Sequence, residues 1–487
     1  MKWKLILLSS LCVLVLNAKD YNILDFGADS SGLSLSTIAI QSAIDKAVKK
    51  GGGTVVIPKG EFLTGTIQLA SNIELHLDEG AILRGSTNPD HYYRLQRKKA
   101  LIITENAEQV SITGMGEIDG QGADLALYLD SLFYVGQLDS NLYNIRLKRP
   151  KWSVRPQMIE FFNCSHVLVS GVTIKNGSSW VQRYELCNQL RIDSIKVESD
   201  TYWNNDGIDI VDCQNVVISN CDINASDDGI CIKSHFANQG NGVVYCENIQ
   251  VLNCKVRSSA SAIKLGTNSY GGFKNIVIKN IQVYDTYRSA IAIQSVDGGV
   301  VEGIIVENVY AINTGNALFI RLGNRIRNRD EDAKAGSIKG IHIKDLTCEV
   351  PLEHPDYKYQ IRGPELPFFH NVLPSSIVGI PYSKIEDVVL ENVKILYPGG
   401  GNAAYANMSE YKASSVPEQI AHYPEFSMFG ELPAWGLYCR HIRGITFNNV
   451  SLEIKEQDYR PAIYKEDVEV ELPMVINVAG DQKAFFK

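Results

Sequence analysis

The sequence contains no basic run or stripe, no CxxC pair and, beyond its first residues, no apolar stretch long enough to cross a bilayer. Each absence removes a class of protein. With no long basic run and a formal net charge of −8, the sequence argues against nucleic acid as the main partner. An anionic substrate is not excluded, because a few local cations can hold one against the overall field. Without CxxC spacing the ten cysteines do not read as a metal centre. Without a long apolar segment no membrane span is expected.

The one short apolar run lies at the start. "MKWKLILLSSLCVLVLNAKD" places Lys2 and Lys4 before a run from Leu5 to Leu16, with Ala18 after it. This pattern predicts a signal peptide over residues 1–18, cleaved near Ala18, and export to the periplasm or the extracellular space. Cys12 does not suggest a lipid anchor, since Leu11 precedes it where a small residue is needed. Cleavage would leave an odd number of cysteines, so they cannot all pair within one chain. A ladder of buried free cysteines is expected, with a disulfide or two as the alternative.

At 487 residues the chain exceeds the roughly 250–300 at which one compact core stops growing. Either it divides into globular domains or it grows by stacking repeats. The repeats are present. "CSHVLVSGVTI" from Cys164 is followed by "CNQLRIDSIKV" from Cys187, "CQNVVISNCDI" from Cys213 and "CENIQVLNCKV" from Cys246. The series continues through segments starting at Phe273, Val301, Ile338, Ile385 and Ile442. Apolar and polar residues alternate in each, with a small residue or Asn near the middle. Period-two alternation predicts strands, and repetition at coil length predicts an all-β fold, a parallel β-helix. Asn at the corner tolerates the left-handed backbone that a sharp turn requires.

Residues 19–106 read as an N-terminal cap with the first coils, and 107–487 as the β-helix proper. In "STIAIQSAIDKAVKKGGG" apolar residues recur at helical spacing from Ile38 through Ala47 and end at three glycines. An amphipathic helix there would cover the open end of the first coil. Two late insertions, near 351–383 and 398–440, are rich in Pro, Tyr and Phe and are expected to fold over one face.

The chemistry concentrates in "WNNDGIDIVDCQNVVISNCDINASDDGICIKS", Trp203 to Ser234. Asp206 and Asp227 lie 21 residues apart, close to one coil, and coils stack at roughly 4.8 Å. This register predicts Asp206 facing Asp227, with Asp228 at the corner turned to the same side. Carboxylates held so close raise one another's pKa, which suits one of them to carry a proton near neutral pH. Catalysis is the favoured reading. A calcium site is its competitor, because hard cations favour clustered carboxylates.

"NNDG" followed one coil later by "DDG", together with "ILDFGADSSG" and "GGGTVVIPKG" near the N-terminus, resembles glycoside hydrolase family 28, the polygalacturonase family of pectin hydrolases. The resemblance implies a right-handed helix and inverting hydrolysis of a galacturonic-acid linkage by three aspartates. Asp227 would be the general acid, and Asp206 and Asp228 would activate water. Asn204 would fall on the family's leading Asn, with Asn205 in place of its usual Thr. No cofactor and no metal are implied, and the expected partner is a pectic polysaccharide or oligosaccharide. Stacking at roughly 4.8 Å would by itself suggest a retaining pair, since inverting pairs stand about 6.5–9.5 Å apart. Inversion therefore comes from the resemblance alone.

The chain departs from the family on the next two coils. Ala260, Ser261 and Ala262 stand where Gly-His-Gly is expected, and Ala292 and Gln294 where an Arg-Ile-Lys motif has its cations. This points to the same chemistry on a different sugar arrangement, with rhamnogalacturonan or another branched pectin favoured over plain homogalacturonan. Lys233, Lys264, Arg288 and Arg321 are candidate replacements for a uronate contact, and His235 for the missing His. Trp180 and Arg183, one coil before Asp206, are candidates for a subsite floor. Tyr-rich insertions narrowing the cleft would favour exo action. A calcium-dependent eliminase and a non-catalytic carbohydrate-binding β-helix are the alternatives.

Overall fold

The computed structural model describes residues 19–236, 243–325, 334–355, 359, 373–401, 416–472 and 474–479. The expected signal peptide and parts of both late insertions lie outside these. The described chain winds into a right-handed parallel β-helix whose strands form one continuous sheet of 31. Coil by coil, Val167 stacks on Leu190, Leu190 on Val216, Val216 on Ile249, Ile249 on Ile276 and Ile276 on Ile304. These offsets equal the repeat spacings in the sequence. Pairing runs without a break from the Ile73–Leu77 strand to the Glu108–Gly114 strand, across the boundary between cap and helix.

Alternation decides which residues face inward. Val216, Ile218, Ile223, Ile249, Val251 and Val256 are fully buried, while Val217, Asp222, Asn224, Gln250, Leu252 and Lys255 beside them are partly or fully exposed. Burying each such side chain stabilises the fold by about 1.5–3 kcal/mol before entropy is counted. The nine described cysteines are all free and buried. Cys164, Cys187 and Cys213 stack as expected, with the Cys187 N–H donating to Cys213 Sγ at 3.3 Å.

Each repeat turns at two corners rather than one. Asn220, Asn253, Asn280 and Asn308 all have φ between 54° and 58°, and so do Asn215, Asn248 and Asn275, with φ between 53° and 58°, five residues earlier in their repeats. In this left-handed region an ordinary side chain costs roughly 1–2 kcal/mol, and Asn offsets this by bonding along the stack. Asn253 donates to Asn220 at 3.2 Å, Asn280 to Asn253 at 2.8 Å and Asn308 to Asn280 at 2.8 Å.

Helix α1, Thr37–Lys49, buries Ala39, Ile40, Ala43, Ile44 and Ala47 against the first coils, as its spacing predicts. A second helix, α2, Gly122–Tyr134, is not among the sequence expectations. It buries Gly122, Leu125, Ala126 and Leu129 and leads into a hairpin of Tyr143–Asn144 with Arg149–Pro150.

Candidate active site

Three successive strands of one face, Ile208–Val211, Ile230–Ser234 and Ile263–Ser269, stack beneath the acidic residues. Their register corrects the expected pairing. Ile208 stacks on Ile230, an offset of 22 residues, and the Gly207 N–H donates to the Asp228 carbonyl at 2.9 Å. Asp206 therefore faces Asp228, not Asp227. Carboxylate oxygens of Asp206 and Asp228 lie within 4.8 Å of each other and of Cys231 Sγ. The glycines of the two motifs permit the approach, since a Cβ on Gly207 would sit 2.6 Å from the Gly229 carbonyl oxygen.

The three aspartates have different surroundings. Asp206 and Asp228 are buried, whereas Asp227 is half-buried. Asp227 Oδ1 accepts the Asp228 N–H at 2.9 Å, and its Oδ2 accepts from Asn204 Nδ2 at 3.5 Å. Asp228 accepts the Ser261 N–H at 3.2 Å and pairs with Lys264 Nζ at 3.0 Å. Asp206 pairs with Lys233 Nζ at 2.9 Å, and Lys233 also donates to Asp209.

These contacts separate the carboxyl groups electrostatically. Burial and then the neighbouring Asp228 charge push Asp227 above the usual carboxylate range, against Arg288, Lys264 and Lys233. Burial also pushes Asp228 up, but Lys264, Lys233 and Arg288 outweigh it and hold the group below that range. Burial raises Asp206 despite Lys233, and raises Asp209 to about 6. One carboxyl disposed to keep its proton thus adjoins one disposed to lose it.

The donor set does not suit calcium. That ion takes 6–8 oxygen ligands, whereas Asp206, Asp228 and the buried thiol of Cys231 offer few. Ammonium groups of Lys233 and Lys264 already neutralise the two carboxylates.

Several candidate contacts have other partners than a ligand. Arg321 is fully buried and donates to the carbonyls of Gly379, Glu418 and Gln419. It holds the second late insertion to the coils, which corrects its assignment as a sugar contact. Gln294 does the same through the Pro424 carbonyl at 3.3 Å. Arg288 pairs with Glu425 at 2.5 Å. His235 does not replace the missing His. Its ring lies 4.0 Å from Glu185, its backbone N–H donates to Asp212, and burial holds the ring neutral with a pKa of about 3. Ser261 stands where that His is expected and offers Asp228 its backbone instead.

Trp180 is half-buried, with Lys233 Nζ 4.1 Å and the Arg183 guanidinium 5.7 Å from its ring centroid. Arg183 bridges Glu160 and Glu185, and burial pushes Glu160 up to about 8 despite the arginine. Asn204 is held in place by Arg155 Nη2 at 2.8 Å. Arg149, Arg155, Trp203, Tyr423 and Glu425 are missing from the sequence expectations. Tyr423 lies with its ring centroid 5.6 Å from Lys264 Nζ, so the described part of the second insertion does fold over this face.

The comparisons agree with this architecture. The profile of glycosyl hydrolases family 28 matches residues 49–350. A probable polygalacturonase of Vitis vinifera is 26% identical over 68% of this chain and 61% of its own length. An exo-poly-alpha-D-galacturonosidase of Dickeya chrysanthemi is 25% identical over 68% of this chain and 63% of its own. Among solved structures, a hyperthermoactive exopolygalacturonase from Thermotoga maritima superimposes with a TM-score of 0.63 at 25% identity, covering 78% of this chain and 87% of its own. The chain belongs to glycosyl hydrolases family 28. It spans under two thirds of the length of these two curated relatives.

Proposed function

We propose that this chain is an exported glycoside hydrolase that cleaves an α-galacturonic-acid linkage in pectin by single displacement with inversion. The observation that carries the reading is the grouping of half-buried Asp227 with buried Asp228, which pairs with Lys264 at 3.0 Å and faces Asp206, so that burial lifts Asp227 while Lys264 holds Asp228 down. Asp227 protonates the glycosidic oxygen as the bond breaks. Asp228, held ionised by Lys264, takes a proton from the attacking water, and Asp206 helps to position that water. Asn204, fixed by Arg155, orients the acid. No cofactor takes part in this scheme.

Two further features narrow the substrate. The second insertion closes over Lys264 and Arg288, which favours a pocket and exo action. Ser261, Ala292 and Gln294 stand in place of the expected sugar contacts, which favours rhamnogalacturonan or another branched pectin. The donor set at Asp206 and Asp228 speaks against a calcium-dependent eliminase.

The test is Asp227→Asn. Release of reducing sugar from pectic oligosaccharides should fall by roughly 10²–10⁴-fold with the circular dichroism spectrum unchanged. Cleavage at the wild-type rate would remove Asp227 from the chemistry. A wild-type protein that binds these oligosaccharides without cleaving any would favour the carbohydrate-binding alternative.

A further inference from the structure

The buried cations of the site are already committed. Lys233 serves Asp206 and Asp209, Lys264 serves Asp228, Arg288 serves Glu425, and Arg183 serves Glu160 and Glu185. A ligand carboxylate drawn to any of them would strand one of the protein's own carboxylates in a buried setting.

Arg149 differs. It stands on the second strand of the hairpin that follows α2, outside the coils, and is half-buried. Among the described residues no carboxylate lies within ion-pair distance of it. Its guanidinium lies 4.8 Å from the centroid of the Trp203 ring, which is itself half-buried. A chain of contacts ties this pair to the general acid. Arg155 Nη1 donates to the Trp203 carbonyl at 2.8 Å, and its Nη2 donates to Asn204 Oδ1 at 2.8 Å. Asn204 in turn donates to Asp227 at 3.5 Å.

We propose that Arg149, stacked on Trp203, receives the carboxylate of a uronic acid residue bound beside Asp227. The proposal rests on the hydrolase reading above and names the residue through which the site recognises an acidic sugar. A guanidinium offers a carboxylate two parallel donors, and stacking on an aromatic ring fixes the plane of that fork. Half-burial leaves room for the ligand and removes part of the competing water. No internal ion pair has to break.

The experiment compares full-length wild type with Arg149→Gln and Arg149→Lys on trigalacturonate and on its methyl ester, which has the same chain without the charges. For Arg149→Gln, kcat/KM on the acid should fall roughly 10–100-fold, mostly through KM, while the ester changes less than about threefold. Arg149→Lys should recover part of the loss. An equal fall on acid and ester, or no fall on the acid, overturns the proposal and leaves the hydrolase reading in place. If wild type cleaves neither compound, the hydrolase reading fails for this substrate. Calorimetric binding of trigalacturonate then decides: weaker binding by Arg149→Gln supports the subsite, and equal or absent binding overturns it.

Discussion

The coils and the α2–hairpin insertion treat charge in opposite ways. On the coils, Lys233, Lys264, Arg183 and Arg288 are buried, and each touches at least one carboxylate. On the insertion, Arg149 is half-buried and rests on an aromatic ring instead. Burial accounts for the difference. An ion taken out of water needs an internal partner, whereas one at the rim keeps part of its hydration and can wait for an external one. On the proposed mechanism the coils thus tune the acid and base, and the insertion is left to recognise what is bound.

The sharpest way to break this comparison is to remove a buried cation. Lys264→Met leaves Asp228 buried without its ammonium, and the fold should lose about 3–5 kcal/mol. Arg149→Gln should change stability by less than about 1 kcal/mol, since it loses a cation–π contact but no ion pair. Chemical denaturation of both variants makes the measurement. Similar midpoints would show that the two regions do not differ as argued.

The coils were far more legible than this charge pairing. Period-two alternation and coil-length repetition are local patterns, and the stacking offsets of Val216, Ile249 and Ile276 follow directly from them. The mid-repeat Asn corners are visible for the same reason. Helix α2 also had a readable signal, since Gly122, Leu125, Ala126 and Leu129 recur at helical spacing. The pairing of Asp206 turned on a single residue of register, 22 rather than 21, which spacing between motifs cannot resolve. Cation partners are less readable still. Arg288 meets Glu425 across 137 residues, through an insertion with no repeat to place it. Arg321 follows an apolar run on a coil, as a sugar contact would, yet only the folded insertion shows its donors spent on carbonyls.

A smaller effect concerns pH, where the coil charges should be visible in the rate. On the proposed mechanism, turnover requires a proton on Asp227 and none on Asp228. Asp227 lies above the ordinary carboxylate range, so the alkaline limb of kcat/KM should fall above that range, as the acid gives up its proton. Asp228 lies below it, so the acid limb should fall below about pH 3.9, where the base becomes protonated. The plateau should extend further in both directions than two unperturbed carboxyls would allow. An acid limb at or above the ordinary value would mean that Lys264 does not hold Asp228 ionised.

The smallest effect separates backbone from side chain within the coils. Asn280 has φ 58°, donates to Asn253 and accepts from Asn308 at 2.8 Å, all on the exposed edge. Asn280→Ala loses both bonds and forces an alanine into the left-handed region, at a cost of about 1–2 kcal/mol. Asn280→Gly loses the same bonds but adopts that φ without strain. If the dihedral requires Asn here, the glycine variant should unfold within a few tenths of a kcal/mol of wild type and well above the alanine variant. If the two variants unfold together, the hydrogen-bonded stack rather than the corner is what holds the repeat. The contrast with Lys264 would then extend to uncharged groups: even at the water-exposed edge, partners within the coils would be indispensable.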